Sequence, residues 1–142
     1  MDLRILRGSR WKVLAPIRRD EQRDTWQCDL IDELETLAAR QYASAVSGIL
    51  KMLEICAESG LDSLPRDWSH LADRENGIYE FIKGDLRLLY FKASSGAVVV
   101  CSHVFVKKSR KTPDAEKKKA ARVKTEYEAA SRSGKLNILE KE

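Results

Sequence analysis

Apolar positions along the chain follow two periods. Between Cys28 and about Ser59, residues Leu30, Leu34, Leu37, Ala38, Ala45, Ile49, Leu53 and Cys56 recur every three or four positions, the spacing that gathers side chains on one side of a helix. Asp29, Asp32, Glu33 and Glu35 load its first turns with negative charge, which complements the helix dipole, and Gly60 supplies a stop. The run is about 30 residues, long for a helix in a globular domain, so a break near Arg40–Gln41 giving two helices is expected.

From Ile78 the period shortens. Ile78–Lys83 alternates, Gly84-Asp85 makes a tight turn, and Leu86–Lys92 is aromatic and apolar. Ser94-Ser95-Gly96 turns the chain again before the β-branched run Ala97–Val106. Strands joined by turns this short predict an antiparallel meander. Upstream, Trp11–Ile17 reads as a short strand with Pro16 near its end, Arg18–Thr25 as a polar loop, and Leu61–Leu71 as a connector followed by a turn at Asp73–Gly77. Downstream, Lys107–Thr112 reads as a basic loop. Thr112 as N-cap and Pro113 as first helical residue open a last helix that runs to about Ser131, with Ala120, Val123 and Tyr127 as its buried stripe. The tail from Ser133 is expected to fray. This order predicts an α+β fold: a small antiparallel sheet, made of an N-terminal strand plus a three-stranded meander, packed with an N-terminal helical segment and a C-terminal helix. The 142 residues fit one domain, with 1–25 as an extended N-terminal segment and 133–142 as a C-terminal tail.

Composition narrows the functional classes. With 43% hydrophobic and 34% charged residues the chain can bury a core. No apolar run approaches the ~18 residues of a membrane span, and Arg4, Arg7 and Arg10 precede no apolar segment of a secretory signal. Cys28, Cys56 and Cys101 are odd in number and widely spaced, which argues against a disulfide framework or zinc finger and for a reducing cytoplasm. The net charge of +4 is mild but uneven: residues 1–82 carry −4 and residues 83–142 carry +8. Nine basic residues lie within 105–124, opposed only by Asp114 and Glu116. Such a stretch attracts polyanions by counterion release, and it also fits a solvated helix face with a basic loop.

One segment is more specific. The strand GIYEF (Gly77–Phe81) is followed by LRLLYF (Leu86–Phe91), then by HVFVKKSRKTP (His103–Pro113) and an alanine- and lysine-rich helix. Over about residues 29–130 the chain resembles the RelE/HigB/ParE toxin superfamily, nearest to its phage-derived HigB-like branch. It departs from that pattern at Ile82, where the resembled strand carries arginine, and at Val104, where it carries glycine. The resemblance implies the RelE-like fold and the toxin of a type II toxin–antitoxin system. It also implies a metal-independent endoribonuclease acting on mRNA, with the ribosome as a further partner and a helix-turn-helix antitoxin as cognate. No cofactor is expected, since two histidines 33 positions apart and unpaired cysteines offer no ligand cluster.

The chemistry so implied is modest, because RNA carries its own nucleophile. The protein must align a 2′-hydroxyl with the adjacent phosphate, manage protons and stabilise a dianionic phosphorane. Arg87 is the first choice for the phosphorane, since a guanidinium matches phosphate oxygens bidentately; the alternative is pairing with Glu80 across the hairpin. His103 is the candidate general base, or else a satisfied histidine within its strand. Tyr90 is a candidate proton relay or stacking platform, or else sheet core. Lys107, Lys108, Arg110 and Lys111 form the expected RNA-binding group. Two other functional classes stay open: a protein-binding poison of the ParE type directed at DNA gyrase, and a non-catalytic RNA-binding module.

Overall fold

The computed structural model describes residues 1–94 and 96–140. The chain opens with two antiparallel strands, β1 (Asp2–Gly8) and β2 (Lys12–Pro16), and a small hairpin of β3 (Arg18–Asp20) and β4 (Thr25–Gln27). Helices α1 (Asp29–Ala38) and α2 (Ala43–Ser59) follow, then two single 3-10 turns. Next come β5 (Ser69–Asp73), β6 (Ile78–Lys83), β7 (Leu86–Lys92) and β8 (Val98–Val106). Helix α3 (Asp114–Arg132) and a last strand, β9 (Asn137–Leu139), complete the chain.

Seven strands make one sheet in the order β5-β6-β7-β8-β2-β1-β9, with β3 and β4 apart from it. The α+β class expected from the pattern holds, but the sheet is mixed and larger than a small antiparallel one. β5 to β8 form an antiparallel meander, and β2 joins β8 in parallel. That direction follows from the path between them: the chain crosses one face as α1 and α2 before returning, and a crossover of this kind can bring strands together in parallel. The segment Arg18–Thr25, expected as a loop, supplies β3 and the start of β4. The tail, expected to fray, is stitched down instead. β9 pairs in parallel with β1, and the Met1 ammonium donates to the Lys135 carbonyl at 2.8 Å. The turn expected at Ser94–Gly96 has Ser95 outside the described residues, as do the tail's last two positions, 141–142.

The period-2 alternation sorts the sheet's side chains between two helical layers. Val13 and Ala15, Phe81, Leu86, Leu88 and Tyr90 join the buried cluster with α1 and α2. Leu14, Ile78, Leu89, Phe91 and Val100 lie in the opposite cluster with Ala120 and Tyr127 of α3. The helical segment divides as its length demands: Leu30, Leu34 and Leu37 are buried on α1, Val46, Ile49, Leu53 and Cys56 on α2. Gly60 ends α2 at φ 89°, and a Cβ there would meet Trp11 Nε1 at 2.8 Å. All three cysteines are buried free thiols.

Candidate nucleic-acid interface

Cross-strand register defines the face of the meander that carries α3. Ile82, Arg87 and Phe105 form one row across β6, β7 and β8. Glu80, Leu89 and His103 form the next. Residues directly opposite share a face, so Arg87 and His103 lie on the same side as diagonal neighbours on adjacent strands. Tyr90 does not join them. It stacks on Phe81 at 4.1 Å on the α1/α2 side, is 3% exposed, and its hydroxyl lies 2.6 Å from that of Ser69. Burial pushes the Tyr90 phenol well above its ordinary pKa. Its position fits the sheet-core alternative left open for it, and not the convergence with Arg87.

His103 reaches the α3 face through a bulge. Leu89 pairs with His103 and Tyr90 with Cys101, which leaves Ser102 as the extra residue. Unbroken alternation from Val99 and Cys101 would have turned the imidazole into the α1/α2 core; the bulge turns it to α3. There Nε2 lies 3.0 Å from Glu116 Oε1 and Nδ1 lies 2.8 Å from Ser102 Oγ. A carboxylate only accepts, so a neutral His103 donates from Nε2 and accepts the Ser102 hydroxyl at Nδ1. Burial, reinforced by Lys119, lowers the pKa against the opposing pull of Glu116. Both nitrogens are thus engaged. The crevice that reaches His103, about 300 Å³, runs along β8 between α1 and α3 and is bordered by two carboxylates, Asp29 and Glu33, against one cation, Lys119. This is the arrangement of a satisfied histidine within its strand, the alternative left open beside a general base.

Arg87 is half-buried. Its Nη1 donates to the carbonyls of Gly84 at 2.7 Å and Leu86 at 2.9 Å, while its buried Nε has no partner among the described residues. It does not pair with Glu80. That carboxylate, on a residue 5% exposed, instead accepts the hydroxyl of Thr112 at 2.8 Å. Thr112 therefore is not the N-cap; Pro113 takes that position and α3 starts at Asp114.

The basic loop crosses the same end of the sheet. The backbone N–H of Lys107 donates to the Asp85 carbonyl of the β6–β7 turn at 2.7 Å. Lys107 is half-buried, and Lys108, Arg110 and Lys111 are exposed. The structure thus brings Arg87 and the start of this loop to one hairpin end. Sequence reasoning gave Glu80 the wrong partner and assigned no site role to Ser102 or Glu116. A lone carboxylate inside an apolar strand was the available signal for Glu80, whereas nothing local marks the bulge that pairs Ser102 with His103.

Among the described residues no helix is long and apolar enough to cross a membrane, and no group of three or more His, Cys, Asp and Glu could hold a metal ion. No curated protein matches the chain. A family model described as phage derived protein Gp49-like (DUF891) matches residues 32–125. The match takes in most of α1, all of α2, the meander, the basic loop and most of α3, and leaves β1–β4 and β9 outside it. The chain belongs to the Gp49-like family of phage-derived proteins, a known family of RelE-like toxins.

Proposed function

We propose that this protein is the toxin of a type II toxin–antitoxin pair and a metal-independent endoribonuclease that cuts mRNA, with the ribosome as its setting. A helix-turn-helix antitoxin is its proposed partner, covering the basic loop. The observation that carries this reading is the convergence of Arg87 and the loop Lys107–Lys111 on the hairpin end of one sheet face, where the Lys107 N–H meets the Asp85 carbonyl.

In the proposed reaction the RNA 2′-oxygen bonds to the adjacent phosphorus and the bond from phosphorus to the 5′-oxygen breaks. Water takes the 2′ proton and returns one to the leaving oxygen, giving a 2′,3′-cyclic phosphate and a 5′-hydroxyl. Arg87 supplies the charge for the phosphorane. Its guanidinium rests on turn carbonyls with Nε unpaired, and turning out to a phosphate would satisfy that donor and offer two parallel N–H groups. Lys108, Arg110 and Lys111 hold the flanking phosphates as exposed point charges without reading bases.

The test is induced expression of the wild type and of Arg87→Ala, with 5′ ends of cellular mRNA mapped after induction. New 5′-hydroxyl ends that vanish in the variant support the reading. Growth arrest without new ends overturns it, and a supercoiling assay then examines the gyrase-directed alternative.

A further inference from the structure

The loop that carries the cations is held at both ends, and the far anchor is unusual. Its near end is fixed where Val106 leaves β8 and the Lys107 N–H bonds to the Asp85 carbonyl. At its far end Thr112 is 7% exposed although it sits in a polar loop beside four exposed residues, Lys108–Lys111. Its hydroxyl donates to Glu80, one of the few charged side chains in the sheet's interior. A buried carboxylate in a strand otherwise filled by Ile78, Phe81 and their neighbours carries a desolvation cost that a core of apolar residues would avoid. That cost is explained if the bond has a task beyond packing.

The register shows the task. Glu80 lies in the row next to Ile82, Arg87 and Phe105, so Thr112 is drawn back across the sheet to within one row of Arg87. With Lys107 tied to the β6–β7 turn, the exposed residues 108–111 span the interval between these two anchors. We infer that Glu80 and Thr112 are positioning residues: their buried hydrogen bond holds the basic loop at the distance from Arg87 that lets both engage one phosphate backbone. This inference rests on the RNA-cleavage reading above.

The test uses the full chain in five forms: wild type, Thr112→Val, Thr112→Ser, Glu80→Met and the double variant of Thr112→Val with Glu80→Met. Amide hydrogen exchange of residues 107–112 reports the anchor directly, and binding of a fluorescein-labelled single-stranded RNA at several salt concentrations reports the phosphate contact. Valine keeps the shape of threonine and removes the donor. Thr112→Val is expected to speed loop exchange about tenfold and weaken RNA binding about tenfold, near the low end for losing a hydrogen bond to a charged group. The log–log salt slope should fall by about 0.7, the loss of one phosphate contact on a single strand. Thr112→Ser should restore both to within about twofold, and Glu80→Met should match Thr112→Val without adding to it in the double variant. Wild-type exchange and affinity in Thr112→Val overturn the inference, as does acceleration spread evenly over β6–β8, which marks general destabilisation. A wild type that neither binds nor cleaves RNA overturns the cleavage reading, and loop exchange then decides the anchor separately.

Discussion

Ile82 stands directly opposite Arg87, at the position where the resembled toxins carry arginine. Ile82→Arg therefore sets two guanidinium groups side by side on the row proposed to meet phosphate. Opposed Cα atoms lie about 4.5–5.5 Å apart, and long side chains can splay their charges to about 7 Å. At that distance Coulomb repulsion is about 0.6 kcal/mol in water and about 2.4 kcal/mol at the effective dielectric of a protein surface. Ile82 and Arg87 are both half-buried, so a loss of about 1–2 kcal/mol is expected, or a few degrees of melting temperature. The aliphatic stem of arginine covers the area that isoleucine leaves, so little of the loss comes from packing. A phosphate between the two cations reverses the sign, and cleavage of a labelled RNA should rise about tenfold, the gain from one added charge-assisted contact. Urea denaturation at low and high salt separates the causes, because repulsion between solvent-facing charges is screened while a packing defect is not. Equal destabilisation at both salt concentrations would refute the electrostatic account. Slower cleavage by a folded Ile82→Arg would show that this row is not where phosphate sits.

Other expectations follow from the groups placed around it. The folded-state pKa of His103 is lowered by burial and Lys119 below its unfolded value of about 6.5, so on acidification the unfolded chain takes up a proton that the folded chain refuses. Its contribution to stability should be fully present above about pH 7 and decline as the pH falls below about 6.5; denaturation of His103→Asn across this window should lack that decline, and an unchanged slope would refute the assignment. Tyr90→Phe removes the hydroxyl bonded to Ser69 and should cost about 1 kcal/mol of stability with no change in RNA cleavage per folded molecule. A tenfold loss of cleavage at unchanged melting temperature would return Tyr90 to the chemistry.

β6–β8 were legible because one alternating and two apolar or β-branched runs are joined by short turns, and the two helices because a run of about 30 residues is long for one helix. The strands that were missed lack a pattern of their own. β1 is interrupted by a bulge between Ile5 and Arg7, β5 has no fully buried residue over Ser69–Asp73, and β9 has three residues. Each becomes a strand through the edge it is offered, which is the context dependence expected of β structure. The site divided in the same way. Arg87 and the lysines could be placed from residue type and position. The roles of His103 and Thr112 could not, since one depends on a bulge that reverses the alternation and the other on a contact 32 positions away with Glu80.

Why the proposed site lies at the hairpin end of this face, and not farther along it, follows from where α3 can begin. Ala120 and Tyr127 seal the rows holding Leu89 and Phe91, which are at most 1% exposed, whereas Ile82, Arg87 and Phe105 one row beyond stay half-buried. One more turn of helix at the N-terminus of α3 would extend it back over positions 110–113. Proline at 113 bars that extension, because its ring disfavours helical geometry at the preceding residue. The bond from Thr112 to Glu80 then holds that preceding residue in the sheet interior. The same Thr-Pro pair thus stops the helix and anchors the loop, so the open row beside Arg87 and the tethering of the basic loop have one structural cause.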